Sequence, residues 1–210
     1  MIGGFSPPYS NTEEWLSSAT HAIGFVMSAI GLVILWMRVD DIYSQVVYSV
    51  YCLSMMGMFL SSTLYHGARE PNVKAKLKIV DHSAIYILIA GTYTPFLLLT
   101  VGGEVGFLSL LLIWFIAFLG VGFKCLFANR WPKLSLITYL FLGWLAVALI
   151  YPLYHSLSAQ SFWLLLAGGG CYTVGVIFYV AKSIPYTHAV WHLFVAAGCV
   201  CHYFSIYHNA

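Results

Sequence analysis

Charged side chains are scarce in this chain of 210 residues: only 8% are Asp, Glu, Lys or Arg, whereas 61% are hydrophobic. Soluble domains carry roughly a quarter charged residues, so the composition excludes an ordinary soluble globular protein. The stretch from Leu134 to Ala181 contains no Asp, Glu, Lys or Arg at all. The apolar runs are not broken by alternating polar residues, which excludes a transmembrane β-barrel. We therefore predict an all-α integral membrane protein.

Other scarce features exclude further classes of protein. The first 15 residues lack the basic start and the early apolar core of a secretory signal, so we expect the first span to be retained. The five cysteines form no C-x-x-C pair, which argues against a disulfide framework or a thiolate zinc site, and we expect buried, inert thiols. The basic residues are too few and too scattered for a nucleic-acid-binding surface.

Charges, prolines and polar clusters divide the chain into seven apolar stretches, each long enough to cross a bilayer as a helix. The fifth and sixth stretches are separated by the polar string Tyr151–Ser161, in which Pro152 is the expected helix breaker. We predict a seven-transmembrane helix bundle over residues 15–207, a cytoplasmic segment over 1–14 and a short extracytoplasmic tail over 208–210. The predicted spans are Trp15–Met37, Ile42–Tyr65, Ile79–Val101, Val105–Phe127, Leu134–Tyr154, Ser161–Ala181 and Thr187–Tyr207.

The basic residues are divided unequally between the two sides of such a bundle. Seven alternating spans place eight Lys and Arg residues on the side of the N-terminus and only Arg38 on the other side. By the positive-inside rule, the N-terminus faces the cytoplasm. We expect a multi-pass protein of the cytoplasmic membrane.

Ionisable residues gather at one predicted depth of the bundle. Such groups are costly inside a membrane and commonly mark a functional site. They are Glu14 and His21 at the start of span one, His66 at the end of span two, Asp81 and His82 at the start of span three, and His188 and His192 at the start of span seven. In an alternating bundle, all of these positions lie at the cytoplasmic end, which predicts a site there.

The histidines have the spacing of a metal site. His188 and His192 are four residues apart, so both imidazoles lie on one face of a helix, as in other H-x-x-x-H metal sites. His66 can complete a three-histidine Zn²⁺ set, which leaves a fourth coordination position open as in catalytic sites. Ser62, one turn before His66, is placed to orient that imidazole or to bind a reacting oxygen. Asp81 is placed to hold or deprotonate a water activated by the metal.

Simpler roles are expected elsewhere. His202 lies ten residues beyond His192, roughly 15 Å along a helix, so a packing role is favoured. The sequence leaves two roles open for His21: a position around the ligands or a plain structural role. Pro95 is expected to kink span three and open a cavity beside the site, and the glycines of Ala167–Gly175 to allow close helix packing. Three histidines are expected to be solvated by headgroups: His82, His155 and His208.

Four motifs in order resemble the hemolysin III family, the bacterial branch of the progestin and adipoQ receptor superfamily. They are EEWLSSATHAIG, SSTLYH, DHSAIYILIAGTYTPF and HAVWHLF. The resemblance covers nearly the whole chain. It implies an adiponectin-receptor-like bundle with a cytoplasmic N-terminus and a zinc ion held by His66, His188 and His192.

The same resemblance implies roles for further residues. Asp81 matches the aspartate that acts through the zinc-bound water, and Ser62 matches the serine of the S-x-x-x-H motif. Glu14 and His21 match the first motif, E-x-x-N-x-x-[S/T]-H, in which Ser17 here replaces the usual asparagine; a serine still forms hydrogen bonds. The wider superfamily resembles alkaline ceramidases, which implies hydrolysis of a lipid amide.

Three functions compete. The first is a zinc-dependent hydrolase of membrane lipid amides that adjusts lipid composition or fluidity. The second is a seven-helix receptor or sensor with a structural zinc, which would use the same ligands. The third is the cytolytic activity in the family name, which we do not favour because no amphipathic segment is available to insert from solution.

Overall fold

The computed structural model describes residues 9–127 and 130–210. Within these residues the chain is helical without strands, and seven helical segments are long and apolar enough to cross a membrane. The predicted seven-helix membrane bundle is therefore confirmed. Residues 1–8 of the predicted N-terminal segment lie outside the described residues.

The seven spans are built from eight α-helices, because the fifth span contains two. That span consists of α5, a 3₁₀ turn over Leu145–Leu149, and α6. The helices are α1 (Asn11–Trp36), α2 (Ile42–Gly67), α3 (Pro71–Pro95), α4 (Gly103–Phe127), α5 (Pro132–Trp144), α6 (Ile150–Ser156), α7 (Ala159–Val180) and α8 (Thr187–Tyr207).

The start of α3 differs from the prediction. The helix begins at Pro71, eight residues before Ile79, so Asp81 does not open the span but lies about three turns inside the helix. The reason is local: the Glu70 side chain accepts hydrogen bonds from the Asn72 and Val73 N–H groups. A capping carboxylate followed by proline is a strong helix start, and it extends the helix beyond the apolar run.

The turn between spans five and six lies inside the predicted string Tyr151–Ser161, but the predicted breaker is wrong. Pro152 was the predicted breaker, yet it lies in the first turn of α6, where a helix needs no N–H donor. The chain instead turns at Leu157 and Ser158. The Ser158 hydroxyl accepts a hydrogen bond from the Ser161 N–H and starts α7.

Pro95 ends the regular part of α3, and the chain continues as a π-helical turn over Phe96–Val101. The predicted change of helix geometry is present, but the void that Pro95 lines does not lie beside the histidines. The void that Pro95 lines also contacts Ile206 and Asn209, at the opposite end of α8 from His188. Because the proline lies fourteen residues beyond Asp81, it is roughly 21 Å further along the helix.

The helices pack in a closed order. Contacts connect α1 with α2, α2 with α3, α3 with α4, α4 with α5, α5 with α7, α7 with α8, and α8 with α1. The most enclosed helices are α2, α3 and α8. The outer face of α4 exposes Phe107, Leu111, Phe115 and Phe118, a surface suited to lipid rather than water.

Two predictions about helix packing, for the glycines of α7 and for His202 of α8, concern the contact between these two helices. Gly168 lies directly against the His202 imidazole, whose Nε2 is 3.1 Å from the Leu165 carbonyl oxygen, so both predicted packing roles are confirmed there. Gly169 and Gly170 face open space instead.

The cysteines are not uniformly buried in protein, because the apolar outer surface also accommodates thiols: Cys52 and Cys199 are buried, Cys171 and Cys201 are half-buried, and Cys125 is exposed.

Candidate metal centre

Three imidazoles converge at the end of the bundle where α1 and α8 begin. The Nε2 atom of His188 lies 3.3 Å from Nε2 of His66 and 3.2 Å from Nε2 of His192. One nitrogen from each of the three rings lies within 4.8 Å of the other two. All three residues are at least nine-tenths buried. The predicted ligand set from α2 and α8 is therefore assembled in space.

Two of the three separations fit a tetrahedral ion. Zinc–imidazole bonds of about 2.0–2.1 Å at tetrahedral angles place neighbouring nitrogens about 3.3 Å apart. The two short separations at His188 match this value. Three neutral imidazoles are donors that suit Zn²⁺ and other borderline transition metals, and they leave a fourth position open.

The first helix orients two of the three rings. Nδ1 of His66 lies 2.6 Å from Oε2 of Glu14, and Nδ1 of His192 lies 3.2 Å from the Ser17 carbonyl oxygen. A ring that donates its Nδ1–H presents an unprotonated Nε2 to the centre, as metal ligands require. Glu14 is itself paired with Nζ of Lys74 at 3.1 Å.

Two further members of the first motif, Ser17 and His21, also lie beside the three histidines. The ring of His21 stacks on that of His192, with centroids 3.9 Å apart, so this histidine adjoins the centre. Neither nitrogen of His21 has a hydrogen-bond partner among the described residues. Ser17 contributes its backbone carbonyl, while its buried hydroxyl finds no partner in the described part of the chain. The hydrogen bond expected of the Ser17 side chain is therefore not found among the described residues.

A second polar group lies next to the histidines. The carboxylate of Asp81 is buried and within hydrogen-bonding reach of the Ser62 hydroxyl, with the His66 ring nearby. Ser62 therefore faces Asp81, and Glu14 rather than Ser62 orients His66. Lys124, in the last turn of α4, is buried and adds a positive charge close to Asp81.

A polar cavity of about 300 Å³ opens beside the centre, between the start of α1 and the segment that leads into α8. Tyr9 separates the cavity from the centre, since its ring stacks on His188 with centroids 4.2 Å apart. Burial raises the pKa of the Tyr9 hydroxyl above its usual range, so the group stays protonated. The cavity lining also includes Ser10, Glu13, Lys182 and Thr187.

Sequence reasoning missed three residues around the centre: Tyr9, Glu13 and Lys124. Glu13 was passed over because Glu14 matched the first motif, although two consecutive acids at a helix start were a signal. Lys124 was counted among the basic residues that orient the chain. Nothing in the sequence distinguishes Tyr9 from the other 14 tyrosines.

Fold and centre together define a seven-helix membrane protein with a three-histidine candidate metal site at one end of the bundle. Residues 9–203 match the family described as Haemolysin-III related, and the chain belongs to that family. Hemolysin-3 of Bacillus cereus is 43% identical over 197 residues, which cover 92% of this chain and 90% of that protein.

Other relatives agree with this assignment. The Hemolysin-3 homolog of Bacillus subtilis (strain 168) is 43% identical over 197 residues, covering 92% of each chain. The human Monocyte to macrophage differentiation factor is 29% identical over 206 residues, covering 93% of this chain and 83% of that protein. The resemblance inferred from the four motifs is confirmed.

Proposed function

We propose that this chain is a zinc-dependent hydrolase that cleaves amide bonds of membrane lipids. The observation that carries the proposal is the convergence of three buried Nε2 atoms, together with a buried carboxylate, Asp81, that interacts electrostatically with His66. A three-ligand set leaves one position for a reacting group. When bound there, Zn²⁺ would polarise the substrate carbonyl and activate a water molecule.

Each side chain has a proposed task. His66, His188 and His192 hold the ion, while Glu14, Ser17 and His21 surround and orient these ligands. Asp81 accepts a proton from the attacking water and returns one to the leaving amine. Ser62 fixes the Asp81 carboxylate, and its hydroxyl is proposed to steady the developing oxyanion.

The surroundings suit a lipid substrate. Long acyl chains can approach between helices from the bilayer, while the polar cavity beside Tyr9 offers room for a headgroup or for the product amine. We infer that the partner is a membrane lipid of the cytoplasmic membrane, and that turnover adjusts lipid composition or fluidity.

Hydrolysis of a fluorescent long-chain ceramide by zinc-loaded protein in lipid nanodiscs tests the proposal. We expect turnover by the wild type and a loss of at least about 100-fold in Asp81→Asn with zinc retained, because this change removes the proton acceptor. Glu104→Gln, an exposed acid at the far end of the bundle, is the matched control. Equal turnover by Asp81→Asn would refute the assigned role of Asp81.

A receptor or sensor with a structural zinc is the second candidate. It is favoured by one observation: the ligands are deeply buried, and the Tyr9 ring covers His188. In that case, the metal would tie α2 to α8 and wild-type protein would hydrolyse no lipid amide. Removing zinc would then lower the melting temperature of the protein or change how the protein acts on a signalling partner, without any loss of hydrolysis.

Two bacterial relatives carry the name hemolysin, so a cytolytic activity is the third function that an experiment should examine. Seven apolar spans suit permanent residence in a bilayer. We expect purified protein to release no dye when added to lipid vesicles from solution. Dose-dependent release would favour the cytolytic alternative over both candidates above.

A further inference from the structure

The helix that carries two of the three ligands begins without a cap of its own. Tyr186 occupies the N-cap position of α8 with a left-handed backbone, φ 65°, and makes no side-chain capping bond. The first N–H groups of a helix need acceptors from elsewhere, especially when they are buried. His188 is the second residue of α8 and is buried.

Glu13 supplies the missing acceptor from another helix. Its Oε1 lies 3.1 Å from the backbone nitrogen of His188, across 175 residues of sequence. Glu13 is 6% exposed, so the bond is shielded from water. A carboxylate at this end of α8 also interacts favourably with the positive end of the helix dipole.

The backbone contact matters because the His188 ring lacks the support given to the other two ligands. His66 and His192 have Nδ1 contacts to Glu14 and Ser17, whereas Nδ1 of His188 has no hydrogen-bond partner among the described residues. The position of Nε2 of His188 is therefore set by the backbone at the start of α8 and by packing against Tyr9.

Consecutive residues on a helix point about 100° apart, which directs Glu13 and Glu14 towards different helices. Glu14 reaches α2 and Glu13 reaches α8. We propose that Glu13 is a positioning residue that caps α8 in trans and thereby holds His188 in the geometry of the metal centre. This proposal depends on the metal centre but not on lipid hydrolysis.

Titration of metal-free protein in detergent with Co²⁺ tests the proposal, because the visible spectrum of Co²⁺ reports its coordination geometry. Loss of a residue that orients a metal ligand typically weakens binding by 10- to 100-fold. We expect Glu13→Ala to show a loss of this size and an altered spectrum. Glu13→Gln keeps a carbonyl acceptor of the same reach and should retain most of the affinity, whereas the shorter Glu13→Asp should resemble Glu13→Ala.

A double-mutant cycle separates this role from general destabilisation. If Glu13 acts through His188, then Glu13→Ala should have little further effect on the residual Co²⁺ affinity of His188→Ala. Glu104→Ala, which removes an exposed acid far from the centre, controls for the general effect of losing a carboxylate.

Three results would overturn the proposal: wild-type affinity in Glu13→Ala, an equal loss in Glu13→Gln, or additive losses in the cycle. If Glu13→Ala does not fold, the comparison of Glu13→Asp with Glu13→Gln replaces it. A loss of Co²⁺ affinity in Glu13→Asp but not in Glu13→Gln supports the proposal, and equal affinities in the two variants overturn it. Absence of Co²⁺ binding by the wild type would refute the centre itself, an outcome distinct from failure of the lipid assay.

Discussion

At the scale of single residues, contacts at Nδ1 favour one tautomer of His66 and of His192. An Nδ1–H that donates to the Glu14 carboxylate or to the Ser17 carbonyl leaves the Nε2 lone pair of His66 or His192 free. The Glu14 contact also adds negative charge next to the ring and increases its basicity. The centre is thus supported by a shell of contacts that comes mainly from α1.

The carboxylate of Glu14 should therefore contribute to metal affinity. We predict that Glu14→Gln, which preserves the shape but removes the charge, weakens Zn²⁺ binding by about 10-fold or more. Competition with a fluorescent chelator measures the affinity, and Glu104→Gln serves as the exposed control. Unchanged affinity in Glu14→Gln would mean that the His66–Glu14 contact does not tune the ligand.

At the scale of the helices, capping groups decide where a span begins. The apolar runs predicted all seven spans, because about 20 apolar residues are needed to cross a bilayer. The same runs misplaced the start of α3, because Glu70 and Pro71 extend the helix through a polar segment. Pro152 misled the prediction for a related reason: a proline in the first turn of a helix breaks nothing.

The Glu70 cap predicts a pH-dependent contribution to stability. Hydrogen bonds from the Val73 and Asn72 N–H groups lower the pKa of Glu70 below its usual value of 4.5. The ionised group therefore stabilises the folded state fully above the usual pKa, and this contribution is lost as the pH falls through the lowered value. We expect Glu70→Ala to melt at a lower temperature than wild type at pH 7, with the difference shrinking below about pH 4.5.

Differential scanning fluorimetry in detergent from pH 3.5 to 7.5 measures that difference. Glu104→Ala, a distant exposed acid, controls for the general effect of removing a carboxylate. A difference in melting temperature between wild type and Glu70→Ala that grows towards low pH would contradict the capping role.

The contact between α7 and α8 gives a matched pair of glycine variants. A Cβ on Gly168 would lie 2.2 Å from the His202 ring, whereas a Cβ on Gly169 would meet nothing within 4 Å. We predict that Gly168→Ala lowers the free energy of unfolding by about 1–3 kcal/mol through overpacking, while Gly169→Ala leaves it unchanged or raises it by up to about 1 kcal/mol, because alanine favours the helix. Thermal unfolding in detergent compares the two, and equal losses would show that the close approach is not required.

At the scale of the whole molecule, the orientation of the bundle remains a prediction from its charges. We expect the N-terminus and the histidine centre to face the cytoplasm, because eight of the nine basic residues belong to that side. A green fluorescent protein fused at the N-terminus should fluoresce, and alkaline phosphatase fused at the C-terminus should be active. The reverse pattern of reporter activities would place the centre on the outer side.

The convergence of the three histidines could be predicted from sequence, while several of their supporting contacts could not. His188 and His192 share a helix face by spacing alone, and alternation of the spans brings His66 to the same depth. The contacts of Glu13 in α1 and of Tyr9 just before it reach α8 across more than 170 residues and depend on how the helices are rotated. Helix rotation follows from packing of the whole bundle, which no local pattern reports.

The central claim is that the three histidines bind one metal ion, and elemental analysis of freshly purified protein tests it most directly. Inductively coupled plasma mass spectrometry should find about one zinc per chain in the wild type and almost none in His192→Ala, because two imidazoles hold zinc far more weakly than three. Both proteins must be folded, as judged by their helical circular dichroism. Metal-free wild-type protein, or a His192→Ala variant with its full zinc content, would contradict the account.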